Sequence, residues 1–320
     1  MRGRVAIALN AIVARCVPLA LAALCLAACS REPAAPETLV PGLAPALPTL
    51  GAVQLEQAGT TLVFERDGDE WRIRDAAWRA DRRWLQPLLL GLANARCDDV
   101  RTADPARFER IGVQWPPAAA ASDSGNAAFA RPTGRVTLTV NGRESVIVIG
   151  HPQARGGTFV RVEGAPHSCL TSATLRLPAQ VSQWFDPQLW RVPVEQVVSV
   201  VVEDADAAPL RLLRRDGRFM PEDALIALTP LPDAIAAALA SPRQLELRAA
   251  TAAEPQRRLR LEASDGATYA VALWREDDAT WARVLEAPAS SSAWYEGREF
   301  RLPVDVAEPL WATREALGGR

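Results

Sequence analysis

Apolar and polar residues alternate over 53–56 and 61–65, and Arg66-Asp67-Gly68 supplies a turn before Trp71-Arg72-Ile73, a pattern that predicts a β-hairpin. From Asp81 the period changes. Trp84, Leu85, Leu88, Leu89 and Leu92 recur at spacings of three and four, which places them on one helical face with Asp81 as N-cap. Pro87 suits such a helix only near its first turn, because it has no N–H to donate and its ring crowds the turn before it. Strand-like runs follow at 135–140 and 144–149, split by Asn141-Gly142, a pair suited to the left-handed positions of a tight hairpin turn. Two more are expected at 158–163 and 174–177.

The second half repeats this order. Leu210 to Arg214 with Arg215-Asp216-Gly217 echoes the first hairpin, and Thr229-Pro230 opens a short apolar helix through Ile235 and Leu239 that stops before Pro242. Strands are expected at 244–249, 257–263 and 268–275, the last two joined by Asp265-Gly266. The wording itself recurs: Thr158-Phe-Val-Arg-Val-Glu-Gly-Ala-Pro166 against Thr280-Trp-Ala-Arg-Val-Leu-Glu-Ala-Pro288, and Leu175-Arg-Leu-Pro178 against Phe300-Arg-Leu-Pro303. The fold class expected is therefore α+β: two tandem similar modules over 51–190 and 191–320, each a mostly antiparallel twisted sheet with a helix packed on one face. The stretch Pro116 to Gly134 has no counterpart in the second copy and reads as a surface loop.

Ahead of the modules the pattern is of another kind. Arg2, Arg4 and Arg15 precede an apolar run from Cys16 to Ala28 that ends in small residues and contains no acid, the layout of a secretory signal peptide over 1–28. The run closes on Leu26-Ala27-Ala28-Cys29, which resembles the bacterial lipobox; lipidation is expected at Cys29, whose acyl chains, palmitate among them, would anchor the protein in a membrane. An uncleaved anchor over residues 5–28 is the alternative, and it would place Arg15 inside the bilayer at a cost of about 2.5–3.5 kcal/mol. Residues 29–50, with Pro33, Pro36, Pro41, Pro45 and Pro48, read as a Pro/Ala-rich tether reaching up to roughly 60 Å at ~3.1 Å per residue. Docking of Leu39 to Leu50 on the body as an edge strand is the alternative there. The expected location is the cell membrane, periplasm-facing, and the outer membrane if the organism has two, since Ser30 rather than aspartate follows the cysteine.

Composition narrows the partners. All 36 basic residues are arginine, and the formal charge of −2 becomes −5 once Arg2, Arg4 and Arg15 leave with the signal. A mildly acidic body whose arginines are scattered is no match for a polyanion, so nucleic acid is not an expected partner.

Candidate chemistry is sparse. His151 and His167 fall in expected turns without metal-ligand spacing, and although His167 lies two residues from Cys169, a turn residue is the favoured reading of each. No catalytic, cofactor-binding or metal-binding set is discernible. Cys97 and Cys169 are the only thiols of the body; in an oxidising compartment they form one disulfide, or, if too far apart, are buried apolar residues. The acidic groups Glu203-Asp204-Ala-Asp206 and Glu276-Asp277-Asp278 lack the glycine and distal glutamate of a calcium loop and read as solvated hairpin tips. Of 10 tryptophans, Trp71, Trp84, Trp274 and Trp281 sit at apolar-periodic positions and are expected in the core, whereas Trp184 and Trp294 flank loops and are the candidates for partner contact.

Thr61-Leu-Val-Phe-Glu-Arg-Asp-Gly-Asp-Glu-Trp-Arg-Ile73, the Leu-rich helix, Ile111-Gly112-Val113 and Val146-Ile-Val-Ile-Gly150 leading into Phe159-Val-Arg-Val162 together resemble the bacterial domain of unknown function 4340 family over most of residues 51–303. Ile111-Gly-Val-Gln-Trp-Pro116 places two residues where that family usually has one, and Phe159 stands for its usual tyrosine. The resemblance implies an envelope protein, often encoded beside a gliding-motility-type ABC transport system and usually held by an N-terminal membrane helix, and it brings no catalytic residues. The lipobox departs from that pattern. The function expected is a lipid-anchored, non-enzymatic binding or assembly component of the cell envelope, associated with an envelope or ABC-type transport system, with the membrane and an envelope protein as partners. An envelope hydrolase or small-ligand-binding protein with its site between the modules is the alternative.

Overall fold

Tight two-residue turns set the registers of both halves. Asn141 and Gly142 take φ of 51° and 76°, and Asp216 and Gly217 take 49° and 80°, the paired left-handed conformations that match the twist of a hairpin. Asp277 and Asp278 do the same without glycine, at 47° and 62°, so the second acidic group is indeed a hairpin tip. The molecule is described by a computed structural model over residues 38–117, 133–205, 207–224 and 229–317. The expected signal peptide over 1–28, Cys29, Asp206 and most of the Pro116 to Gly134 stretch lie outside the described residues.

The first module begins earlier than its periodicity suggests. Residues 38–50, expected to belong to the tether, are docked on the body: Thr38 bridges to Arg96, and a short helix α1 (Leu43–Ala46) follows Val40, with Val40 and Leu43 fully buried in the first core. The docked segment is helical rather than an edge strand. Then come β1 (Ala52–Gln57), β2 (Thr60–Asp67), β3 (Glu70–Ile73), β4 (Trp78–Arg79), helix α2 (Arg82–Asn94), β5 (Asp99–Val100), β6 (Gly134–Val140), β7 (Arg143–Pro152), β8 (Thr158–Val162) and β9 (Cys169–Thr171). Asp81 caps α2 by accepting from the Arg83 N–H at 2.9 Å, and Leu85, Leu88, Leu89 and Leu92 face the sheet. Pro87 lies in the second turn, beyond the position expected for it, and the helix continues through. His151 belongs to β7 rather than to a turn.

The second module comprises β10 (Val197–Asp204), β11 (Leu210–Arg215), β12 (Arg218–Pro221), α3 (Leu231–Ala240), β13 (Glu246–Ala249), β14 (Arg257–Ala263), β15 (Thr268–Glu276), β16 (Ala279–Glu286), α4 (Ala289–Ser292), β17 (Arg298–Leu302) and α5 (Val304–Leu310). Among the described residues the two antiparallel sheets run β4-β3-β2-β1-β6-β7-β8-β9-β5 and β12-β11-β10-β14-β15-β16-β17-β13. Apart from β4 the orders coincide strand for strand. In each, the connection that follows the helix runs to the far edge and then crosses back to the middle.

Strand pairing also refines the repeated phrases. Thr158 pairs with Thr171, and Thr280 with Leu302, so Thr158 and Thr280 are equivalent. Leu175 to Leu177 is not a strand, whereas Phe300 to Leu302 ends one; the prolines that follow, Pro178 and Pro303, each lead toward a short helical turn packed on the module's long helix.

Candidate functional site at the junction of the modules

A tryptophan from one module completes the core of the other. Trp78 of β4 is fully buried among second-module residues, its ring 5.1 Å from Phe300, 6.1 Å from Tyr295 and 6.2 Å from Trp294. Its indole N–H donates to the Asp186 carbonyl at 2.8 Å, so this large side chain is buried with its one donor satisfied. Arg79 turns the other way along the linker, pairing with the Asp186 carboxylate and donating to the carbonyls of Gln188 and Leu189. From the second module, Arg298 donates to the Ala76 carbonyl at 3.2 Å, and burial together with the nearby Arg72 charge lowers its pKa. Tyr295 donates to the Leu189 carbonyl at 2.6 Å, and burial raises its pKa.

The linker itself is a stitched seam. Ala80 bridges to Phe185 and Gln188 bridges to Arg243, with Asp81 N–H on the Trp184 carbonyl and Gln244 N–H on the Pro187 carbonyl, both at 2.7 Å. A chain paired on both sides cannot act as a hinge without breaking backbone hydrogen bonds, each worth about 0.5–1.5 kcal/mol net.

Beside the seam runs an open groove. One part, of about 410 Å³, is lined by Arg79, Arg82, Arg83, Arg191 and Arg243 with Glu70, Asp81 and Asp186; the other, of about 650 Å³, by Trp84, Phe185, Gln244, Leu245, Glu246 and Arg301. Asp81, Arg83 and Pro187 border both, which makes the two parts continuous. Arg82 and Arg191 are exposed and form no ion pair among the described residues, so their charge faces whatever enters. Cations outnumber carboxylates here although the chain as a whole is acidic.

The residues singled out from sequence land elsewhere. Trp184 is fully buried in the first core, edge-on to Phe64 at 5.5 Å and donating to the Gln57 side chain at 2.7 Å, so it offers no surface to a partner. Trp294 packs against Trp78 beneath the guanidinium of Arg72, 4.6 Å from its ring, and is part of the junction rather than an exposed patch. Cys97 and Cys169 are joined as a disulfide, with Cα atoms 5.2 Å apart across 72 residues of sequence. Sequence reasoning missed the arginine-lined groove, because Arg79 to Arg83, Arg191, Arg243 and Arg301 converge only after the modules dock.

A family model matches residues 71–272, well over half of the chain. The chain belongs to the family described as domain of unknown function (DUF4340). No curated protein and no solved structure matches it. In this DUF4340 member three of the segments that carry the resemblance, Ile111 to Val113, Val146 to Gly150 and Phe159 to Val162, meet on the outer face of the first sheet, while the Thr61 to Ile73 hairpin and the Leu-rich helix pack in the main core. A Cβ on Gly150 would lie 2.3 Å from the Ile111 carbonyl oxygen, so only glycine lets Ile111-Gly112-Val113 lie on β7. Arg161 of β8 donates to the Val113 carbonyl at 3.1 Å and sits over the Phe108 ring, and Phe159 packs on the same small cluster. These three segments hold the fold together and do not line the groove, which the hairpin and the helix reach at Glu70 and Trp84.

Proposed function

We propose that this DUF4340 protein is a lipid-anchored component of the bacterial envelope that faces the periplasm and binds a partner, rather than transforming a substrate, through the groove between its modules. The observation that carries the reading is the juxtaposition of exposed Arg82 and Arg191, which form no ion pair among the described residues, in a groove whose walls are locked by Trp78. A preformed cationic groove on an acidic body suits an extended acidic segment of a partner, attracted to the groove and repelled elsewhere. The lipobox ending at Cys29 supports the anchor, and the disulfide fits an oxidising compartment. With Thr38 already docked, the chain between Cys29 and the body spans at most about 30 Å, half the reach the full tether would have had. We read the partner as an envelope protein, such as a component of a transport system, at the surface of the membrane that holds the lipid.

Among the described residues no helix is long and apolar enough to cross a membrane. The anchor is tested by mass spectrometry of the N-terminal peptide: an acylated Cys29 is expected, and a Cys29→Ala protein that is processed and membrane-retained like wild type contradicts it. The groove is tested by photo-crosslinking in cells from position 191, with position 258 on another surface as control. A defined adduct from position 191 that disappears in an Arg82→Glu background supports the reading, and identical adducts from both positions overturn it. A small-ligand reading would use the same groove, and one observation favours it: the Gln244 side chain is buried there with its carbonyl oxygen accepting no hydrogen bond from the described residues. Thermal stabilisation of the protein by a low-molecular-weight envelope extract, lost in Gln244→Leu, would decide for it.

A further inference from the structure

The disulfide lies beside a histidine. The Cys97 and Cys169 sulfurs and a ring nitrogen of His167 all lie within 4.8 Å of one another. Cys169 is buried, while Cys97 and His167 are half-buried, so the cluster is open on one side. The two cysteines do not depend on their bond for proximity. Val100 pairs with Cys169 and Asp99 with Leu170; Asp98 N–H donates to the Leu170 carbonyl, and the backbones of Arg101 and Thr102 exchange hydrogen bonds with Ser168. The Asp98 carboxylate also accepts from the Ser172 N–H. Reduction therefore leaves two thiols held side by side by backbone pairing, with an imidazole against them.

From this geometry we infer that the cluster is a redox-gated metal site: Cys97, Cys169 and His167 bind a zinc-class ion when the disulfide is reduced and release it when the disulfide reforms. A tetrahedral ion with metal–sulfur bonds of about 2.3 Å and a metal–nitrogen bond of about 2.0–2.1 Å sets its ligand atoms just under about 4 Å apart, so reduction lets the two sulfurs part to that distance while the imidazole nitrogen, within 4.8 Å of both, closes on the ion. Two thiolates and one imidazole make a soft set that prefers zinc over calcium or magnesium, and the open side leaves the fourth position to water. The chemistry balances with a dithiol as reductant. It gives two electrons and two protons to the sulfur–sulfur bond and becomes a disulfide itself, yielding two thiols here; the ion then displaces both thiol protons. A dithiol-to-disulfide oxidant runs the sequence backwards and frees the ion.

The test uses the full-length protein in detergent, reduced anaerobically with a dithiol that is then removed, and titrated with Co²⁺ as a spectroscopic stand-in for Zn²⁺. The reduced protein is expected to develop a thiolate-to-cobalt charge-transfer band and the visible bands of a tetrahedral ion, both abolished by excess Zn²⁺. The oxidised protein develops neither, and His167→Ala weakens the reduced site by on the order of tenfold or more. Absence of the charge-transfer band in the reduced protein, or an unchanged affinity in His167→Ala, overturns the inference. Far-ultraviolet circular dichroism is recorded alongside, and loss of the native spectrum on reduction counts equally against it, because strand pairing must hold the ligands.

Discussion

The two modules cross their own sheets in different ways. In each, the connection from the far-edge strand passes over the outer face of the sheet, in the first module through its described part, residues 101–117, and in each an arginine at the same place in the repeated phrase holds it down. Arg161 grips the Val113 carbonyl, and Arg283 grips the Thr251 carbonyl at 2.6 Å. Beneath the crossing the modules diverge. Ile149 pairs with Val160 and Leu273 with Ala282, so Gly150 and Trp274 occupy equivalent positions. The first module has removed the side chain and lets backbone lie on backbone. The second keeps Trp274 and Trp281 under the guanidinium groups of Arg283 and Arg248, and anchors both arginines on the fully buried Glu299. The difference teaches that a repeated phrase can preserve a mechanical task, pinning a crossover, while the means shift from close packing to a buried ion network.

That contrast can be broken from either side. Trp274→Ala is expected to cost about 3–5 kcal/mol, since the short 250–256 crossing has little to collapse into the cavity. Glu299→Gln is expected to cost about 3 kcal/mol, the low end for breaking a buried pair, because Arg248 and Arg283 keep some exposure to water. Gly150→Ala is the mildest, an overpacking of about 1–3 kcal/mol that presses on the Ile111 backbone. Equilibrium denaturant unfolding measures all three, and a Gly150→Ala protein more destabilised than Trp274→Ala would reverse the comparison.

The second module also carries a pH signature, centred on Glu299. Burial pushes the Glu299 carboxyl up, but hydrogen bonds from Arg283, the Thr251 backbone, Arg248 and the Thr251 hydroxyl override it and hold the group below the usual carboxylate range. A carboxylate with a lowered folded-state pKa contributes stability that is complete above its unfolded value of about 4.3 and is lost as pH falls through the folded value. Wild type should therefore lose more stability than Glu299→Gln on acidification across that window, and parallel pH profiles would remove Glu299 from the explanation.

How far the sequence reached follows from the range of each interaction. The turn at Asn141-Gly142, the face of α2 and the duplication were legible because they are local or recur. β10 was not: Val197-Val-Ser-Val-Val-Val202 is an interior strand of its sheet, partly covered on both faces, and shows no clean alternation to read. Trp184 and Trp294 stand in loop-like surroundings and look exposed, yet one fills the first core and the other packs on Trp78, contacts made only between distant segments. Residues 38–50 are proline-rich and read as tether, but Val40 and Leu43 supplied apolar anchors that a helix could bury. The groove lies between the modules, where the alternative reading expects a site, but its arginine lining was illegible for the same reason as Trp294, since docking of the two copies creates it.

Whether the copies act as one unit with a fixed groove is tested most directly by equilibrium unfolding of the full-length protein and of Trp78→Ala, followed by tryptophan fluorescence and far-ultraviolet circular dichroism together. One coincident transition is expected for wild type, with Trp78→Ala destabilised by about 3–5 kcal/mol and its two signals separating as the modules uncouple. Two separated transitions in wild type, with Trp78→Ala leaving both unmoved, would contradict it.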